Sequence, residues 1–122
     1  MVVCCALTDE TRGLVNRDLL ARMRPSAVLV NVSRGAVIDT PALIDALRSG
    51  KIAGATLDVF DVQPLPPDDA LFDCPNLLLT PHTAGITATS GRTMAVGSAE
   101  EMLRILRGEK PLNLVNPDYK AA

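Results

Sequence analysis

The sequence predicts an α/β protein built on a doubly wound parallel sheet, and three observations carry that prediction. Short apolar runs alternate with helical patterns in the order strand, helix, strand, helix, strand, loop, strand, helix, the alternation expected of right-handed parallel crossovers. Apolar types make up 48% of the 122 residues, yet only Phe60, Phe72 and Tyr119 are aromatic. That aliphatic bias suits parallel strands buried beneath helices. The polar residues of chemical interest follow directly after the strand-like runs, where open parallel sheets bind ligands.

Taken in order, Val2 to Leu7 reads as a buried first strand. Cys4 and Cys5 are small buried residues within it rather than a redox pair, three cysteines being an odd number in a chain without an export signal. Asn16 is the N-cap of a helix reaching Met23, with Leu19, Leu20 and Met23 on its apolar side, and Pro25 ends it. Ala27 to Asn31 is the second strand. Thr40 is the expected N-cap of the next helix, with Pro41 at the first helical position. Ala42, Leu43, Ala46 and Leu47 form its apolar stripe, and Gly50 stops it. Ala53 to Val59 is the third strand, after which Pro64, Pro66 and Pro67 enforce a loop. Leu77 to Thr80 is the fourth, closed by Pro81. A long helix runs from about Thr87 or Ser90 to Leu106, with Met94, Met102, Leu103 and Leu106 facing inward. Gly97 weakens it, Gly108 ends it, and residues 111–122 form an extended or irregular tail.

Composition narrows the function classes. The formal net charge is −2 and no Lys/Arg face is clustered, so nucleic acid is not an expected partner. No apolar run approaches the ~18 residues of a membrane span, and Met1 is not followed by the basic segment and apolar core of a signal peptide. The expected compartment is the cytoplasm. No metal site is expected.

Three residues carry the chemistry. Arg34 follows a strand and sits between small Ser33 and Gly35, so its guanidinium should project over the carboxyl edge, where its rigid fork matches a carboxylate two-pronged. His82, the only histidine, lies just past the fourth strand, and imidazole is the side chain best suited to moving a proton near neutral pH. Reducing a carbonyl by hydride transfer needs one proton donor and one group that polarises the oxygen, and this pair supplies both. Asp58 ends the third strand; from spacing it either caps the following turn or accepts a hydrogen bond from a carboxamide.

Several blocks in register give a more specific reading. Leu29-Val30-Asn31-Val32-Ser33-Arg34-Gly35, Asp39, Ala42-Leu43, Gly54-Ala55-Thr56-Leu57-Asp58-Val59-Phe60 and Leu79-Thr80-Pro81-His82-Thr83-Ala84-Gly85 resemble the D-isomer-specific 2-hydroxyacid dehydrogenases, as do Leu7-Thr8 and Glu10 to Leu14. The resemblance covers nearly the whole chain. It implies the C-terminal half of a Rossmann-like NAD-binding domain, truncated, spanning 1–122, with the helix and tail at 87–122 packing back on an absent substrate domain. It implies a hydride passed between NAD, or less often NADP, and a 2-hydroxy or 2-keto acid, in an enzyme whose full-length form is a homodimer. By position, Arg34 would hold the substrate's carboxylate and carbonyl, and His82 would be the general acid/base. Asp58 would bind the nicotinamide carboxamide. Cys5, Ala6, Leu7, Val32, Ser33, Arg34, His82, Ala84 and Gly85 would line the cofactor.

Two departures stand out. The family places a glutamate beside the histidine, five residues after the aspartate, and here that position is Gln63, before Pro64. A carboxylate stabilises imidazolium, whereas an amide orients the ring without that charge. Formate dehydrogenases of the same superfamily carry glutamine there, so Gln63 with Arg34 and His82 also admits a formate enzyme; a non-catalytic, NAD-sensing corepressor-like relative is another alternative, and a decayed remnant a third. The second departure is that no G-x-G-x-x-G turn occurs, and the acidic residue that reads the ribose is missing with it. The chain therefore reads as a fragment, marginal in stability or dependent on association, and binding cofactor weakly alone.

Overall fold

Four aliphatic runs become strands in a computed structural model that describes residues 1–116: β1 Val2–Val3, β2 Val28–Asn31, β3 Gly54–Leu57 and β4 Leu77–Leu79. They form one sheet in the order β1-β2-β3-β4, every pair parallel. The parallel crossovers are those the alternating pattern predicted, and consecutive strands are neighbours in the sheet, an order the sequence reading does not specify. The described chain divides into two compact units, residues 1–84 and the segment from Gly85 onward. Residues 117–122, part of the expected tail, lie outside the described residues.

The first unit holds the sheet and two helices, α1 (Arg17–Arg22) and α2 (Thr40–Arg48), which pack on each other. Alternation along the strands sorts side chains between two faces. Val3, Leu29, Asn31, Ala55 and Leu57 point to one face and are buried, whereas Val2, Val28 and Leu78 on the other are exposed. The core beneath the buried face takes Leu20 from α1 and Ala42, Leu43, Ala46 and Leu47 from α2, the stripe read from the sequence. Leu29 and Leu43 are fully buried, each contributing about 1.5–3 kcal/mol relative to exposure.

Several boundaries differ from the sequence reading for identifiable reasons. β1 stops at Val3 instead of running to Leu7. It pairs with β2 alone, and β2 turns into a loop after Asn31, so Cys4 onward has no ladder to join. Cys4 is consequently exposed and Cys5 half-buried, neither within a strand. The cap of α2 is Asp39, not Thr40: its Oδ1 accepts from the Ala42 amide at 3.0 Å, while the Leu43 amide already donates to the Asp39 carbonyl at 3.0 Å. Thr40 is thus the first helical residue and Pro41 the second, where its missing N–H costs nothing. Asn16 caps α1 as read, accepting from the Leu19 amide at 2.9 Å, and Gly50 ends α2 with a left-handed φ of 65°.

The second unit is organised by α3 (Ala88–Leu106), entered through a capping box in which Thr87 and Ser90 satisfy each other's amides. Gly108, at φ 71°, follows its end. The Glu101 carboxylate accepts from the Leu112 amide at 2.9 Å, tying the following segment back to the helix. The expected inward residues of α3 are not inward. Met94, Met102, Leu103 and Leu106 are exposed, and no residue of α3 is buried, because a single helix has no second layer of its own to cover an apolar stripe.

Candidate active-site edge

The last paired residues of the four strands, Val3, Asn31, Leu57 and Leu79, form one row across the sheet. Cys4, Val32, Asp58 and Thr80 therefore leave the sheet along a single carboxyl edge, and the candidate residues stand on or just beyond it. Parallel register creates this convergence, since all four strands end on the same side.

The Arg34 loop is built on Asn31. This amide, fully buried at the end of β2, accepts from the Ser33 amide (3.0 Å) and the Ser33 hydroxyl (2.9 Å), and donates to the Arg34 carbonyl (3.0 Å). A buried amide is stable only with such partners, and in meeting its own needs it fixes the turn that carries Arg34. The Arg34 side chain is exposed, and its guanidinium donates to the Ser33 carbonyl at 2.7 Å. Among the described residues no carboxylate pairs with it. Gly35 then passes so near the neighbouring loop that a Cβ there would lie 2.1 Å from the Phe60 carbonyl carbon.

Asp58, 3% exposed, does not cap the turn that follows it: its carboxylate reaches across to the turn after β4 instead, because β3 and β4 end side by side. Oδ1 accepts from the Thr80 hydroxyl (2.5 Å) and the Thr83 amide (2.9 Å), and Oδ2 accepts from the Ala84 amide (2.9 Å). Burial alone would push this carboxyl up. The three donors, with the His82 imidazole nearby, favour its charged form more strongly and hold it below its ordinary value. These bonds bracket His82, whose backbone is left-handed at φ 57°, a conformation costing a non-glycine residue roughly 1–2 kcal/mol. The aspartate thereby holds the strained turn that presents the imidazole.

Gln63 meets His82 directly: Oε1 lies 2.9 Å from Nδ1, and Nε2 donates to the Phe60 carbonyl at 3.0 Å. Beside the pair lies an open, mainly apolar pocket of about 350 Å³, lined by Phe60, Gln63, Leu65, Phe72, Leu79 and His82 among others. The structure brings together His82 with Gln63, and Asp58 with Thr83 and Ala84. Arg34 shares their edge without bonding to either pair. Of the residues near the chain start, Cys5 and Leu7 are half-buried and Ala6 is exposed, its carbonyl taking the Thr11 hydroxyl at 2.7 Å. Val32 is exposed at the edge. Ser33 is buried, with its hydroxyl committed to Asn31. Gly85 opens the second unit, where its carbonyl accepts from Ser90 Oγ at 2.7 Å. The sequence reading gave no role to Asn31 or Thr80. Their signal was a single polar side chain closing an otherwise apolar run.

A parallel sheet with an arginine, a caged aspartate and a glutamine-held histidine along its carboxyl edge has the layout of an open α/β sheet that binds ligands at its strand ends. Residues 1–84 match the family described as D-isomer specific 2-hydroxyacid dehydrogenase, NAD binding domain, and the chain belongs to that family. It is 46% identical over 112 residues to a glyoxylate reductase of Korarchaeum cryptofilum, covering 92% of this chain and 34% of the relative. It is 44% identical over 117 residues to a glyoxylate/hydroxypyruvate reductase B of Pectobacterium carotovorum, covering 96% and 37%. A D-isomer specific 2-hydroxyacid dehydrogenase from Xanthobacter autotrophicus, crystallised with NADPH and MES, superposes with a TM-score of 0.76 at 51% identity, covering 95% of this chain and 47% of that one. The chain spans about a third of the length of the curated relatives it matches.

Two features of the edge are compatible with the nicotinamide end of such a cofactor. Asp58 Oδ2 carries one hydrogen bond, leaving an acceptor position for a carboxamide N–H, and exposed Val32 offers an apolar contact. The pyrophosphate end has no counterpart here, because the chain contains no glycine-rich phosphate turn. Among the described residues no group of acidic, histidine and cysteine side chains could hold a metal ion, and no helix is long and apolar enough to cross a membrane.

Proposed function

We infer that this chain is the nicotinamide-facing part of an NAD(H)- or NADP(H)-dependent reductase of small 2-keto acids, acting in the cytoplasm on substrates of the glyoxylate and hydroxypyruvate kind. The observation that carries the reading is the His82–Gln63 pair on the same carboxyl edge as an Arg34 that pairs with no carboxylate among the described residues. Arg34 takes the substrate carboxylate through two parallel N–H donors. His82 donates a proton to the carbonyl oxygen during reduction and withdraws it from the hydroxyl during oxidation. Gln63 orients the ring, and Asp58 keeps the His82 turn in place while its second oxygen receives the carboxamide. The cofactor, when bound, supplies or accepts the hydride at the substrate's C2.

The exposed apolar stripe of α3 supports a role for residues 87–122 in packing against the substrate domain. A homodimeric full-length form belongs to the same reading, as the family resemblance implies. The test, made on a version extended to include a glycine-rich turn and a substrate domain, is oxidation of NADH and NADPH, followed by absorbance, against a panel of 2-keto acids, with formate plus NAD as a separate arm. Turnover of a 2-keto acid that is lost in Arg34→Ala and His82→Gln is expected. Cofactor binding without turnover of any panel member would sink the enzymatic reading, and formate oxidation would replace the substrate class.

A further inference from the structure

We propose that Gly35 and the Phe60 carbonyl hold Gln63 in one amide orientation, and that this orientation locks neutral His82 in its Nδ1–H tautomer. A carbonyl oxygen only accepts, so the end of Gln63 facing Phe60 O at 3.0 Å must be the NH2. The end left for His82, 2.9 Å from Nδ1, is then the amide oxygen. That oxygen also only accepts, so Nδ1 must carry the hydrogen. Neutral imidazole has one N–H, and Nε2 is left with its lone pair. Turning the amide over would set two oxygens against each other at Phe60 and present an N–H to Nδ1, which selects the opposite tautomer.

The pin depends on Gly35. A Cβ at this position would lie 2.1 Å from the Phe60 carbonyl carbon, 2.5 Å from its oxygen and 2.3 Å from the Asp61 nitrogen. The Phe60–Asp61 peptide therefore sits directly against the glycine's Cα, where no side chain fits, and the carbonyl that orients Gln63 is placed by the residue next to Arg34. A carboxylate at 63 would need no such pin, because its two oxygens are equivalent. The device is specific to a glutamine, whose ends differ. Its use in catalysis rests on the function inferred above: with Nδ1 already protonated, Nε2 is the nitrogen that gives and takes the proton in both directions. Gln63 and Gly35 are positioning residues in this scheme.

His82 is the chain's only histidine and Gln63 its only glutamine, so selective labels report each without ambiguity. In the 15N-histidine-labelled protein above the ring's titration range, long-range 1H–15N correlations should show a pyrrole-like Nδ1 and a pyridine-like Nε2, with His82→Gln confirming the assignment. Gln63→Leu should return the ring toward the Nε2–H form that imidazoles prefer in water. Gly35→Ala should do the same in the native background and change nothing in a Gln63→Glu background, where the pin has no wrong end to exclude. Should Gly35→Ala not fold, the 15N-glutamine label decides: one Gln63 amide proton should be shifted and slow to exchange, and two equivalent fast-exchanging protons would overturn the Phe60 pin. A predominantly Nε2–H ring in the native protein would overturn the lock. A locked ring in a protein without 2-keto acid turnover would leave the lock standing and remove the inferred activity, so the two failures are distinguishable.

Discussion

At the scale of single residues, the site depends on which partner each charged or basic group has been given. His82 meets an amide at Gln63 Oε1, at the position where the family resemblance implies a glutamate. An amide offers no charge to stabilise imidazolium, so Gln63→Glu should move the acid/base limb of the pH–rate profile to higher pH. An unchanged profile would remove Gln63 from the proton chemistry. Asp58 has the opposite setting, a carboxylate whose donors outweigh its burial and hold its titration below the ordinary value. Its stabilising contribution is therefore present above the unfolded carboxyl value of about 3.9 and is lost as pH falls toward the lower folded value. Asp58→Asn cannot titrate and should lose this part of the acid sensitivity, so melting temperatures between pH 7 and pH 3 should fall less steeply in the variant. Equal slopes would show that the Thr80, Thr83 and Ala84 bonds do not favour the ionised form.

At the scale of elements, the caps and strand ends position the chemistry more than the helices do. β2 delivers Arg34 because Asn31 closes the strand with a buried amide that fixes Ser33 and Arg34. β3 and β4 deliver Asp58 and Thr80 to adjacent places because Leu57 and Leu79 are register partners. The α2 cap is a case where the residue type was legible and its position was not. Thr40-Pro41 marks a helix start, yet Asp39 is the residue whose oxygen reaches the Ala42 amide, at the third helical position. Asp39→Ala should cost about 1 kcal/mol of stability, and Thr40→Ala, which removes no capping bond, a few tenths. Urea denaturation of the two variants checks the assignment, and the reverse ranking would restore Thr40 as the cap.

At the scale of the whole molecule, the chain holds the carboxyl edge that carries Arg34, Asp58, Gln63 and His82, and its sequence contains no glycine-rich phosphate turn. Nicotinamide contacts alone leave most of a dinucleotide unheld. Titration with NADH, followed by cofactor fluorescence, should show the 122-residue chain binding at least roughly 100-fold more weakly than a version extended to include a glycine-rich turn. Micromolar binding by the short chain would show that the carboxyl edge suffices. The exposed sheet face at Val2, Val28 and Leu78 and the unburied α3 stripe belong to the same scale. Apolar patches of this kind mark surfaces built to be covered, which is why the inward assignment of Met94, Met102, Leu103 and Leu106 failed: periodicity reports that a face is apolar, not what lies against it.

The sequence by itself determined the α/β class, the alternation of strands and helices along the chain, the α2 stripe from Ala42 to Leu47, and the placement of Arg34, Asp58, Gln63 and His82 just after strands. These are local properties, written in hydrophobic period, helix-stop residues and motif spacing. Only the tertiary structure decided that β1 ends at Val3, that Asn31 and Thr80 serve the site, that Asp58 braces a left-handed His82, and that Gly35 seats the carbonyl which turns Gln63 toward the ring. Each of these joins residues distant in sequence, or a strand to whether its neighbour continues, and such contacts leave no periodic trace in the chain that makes them.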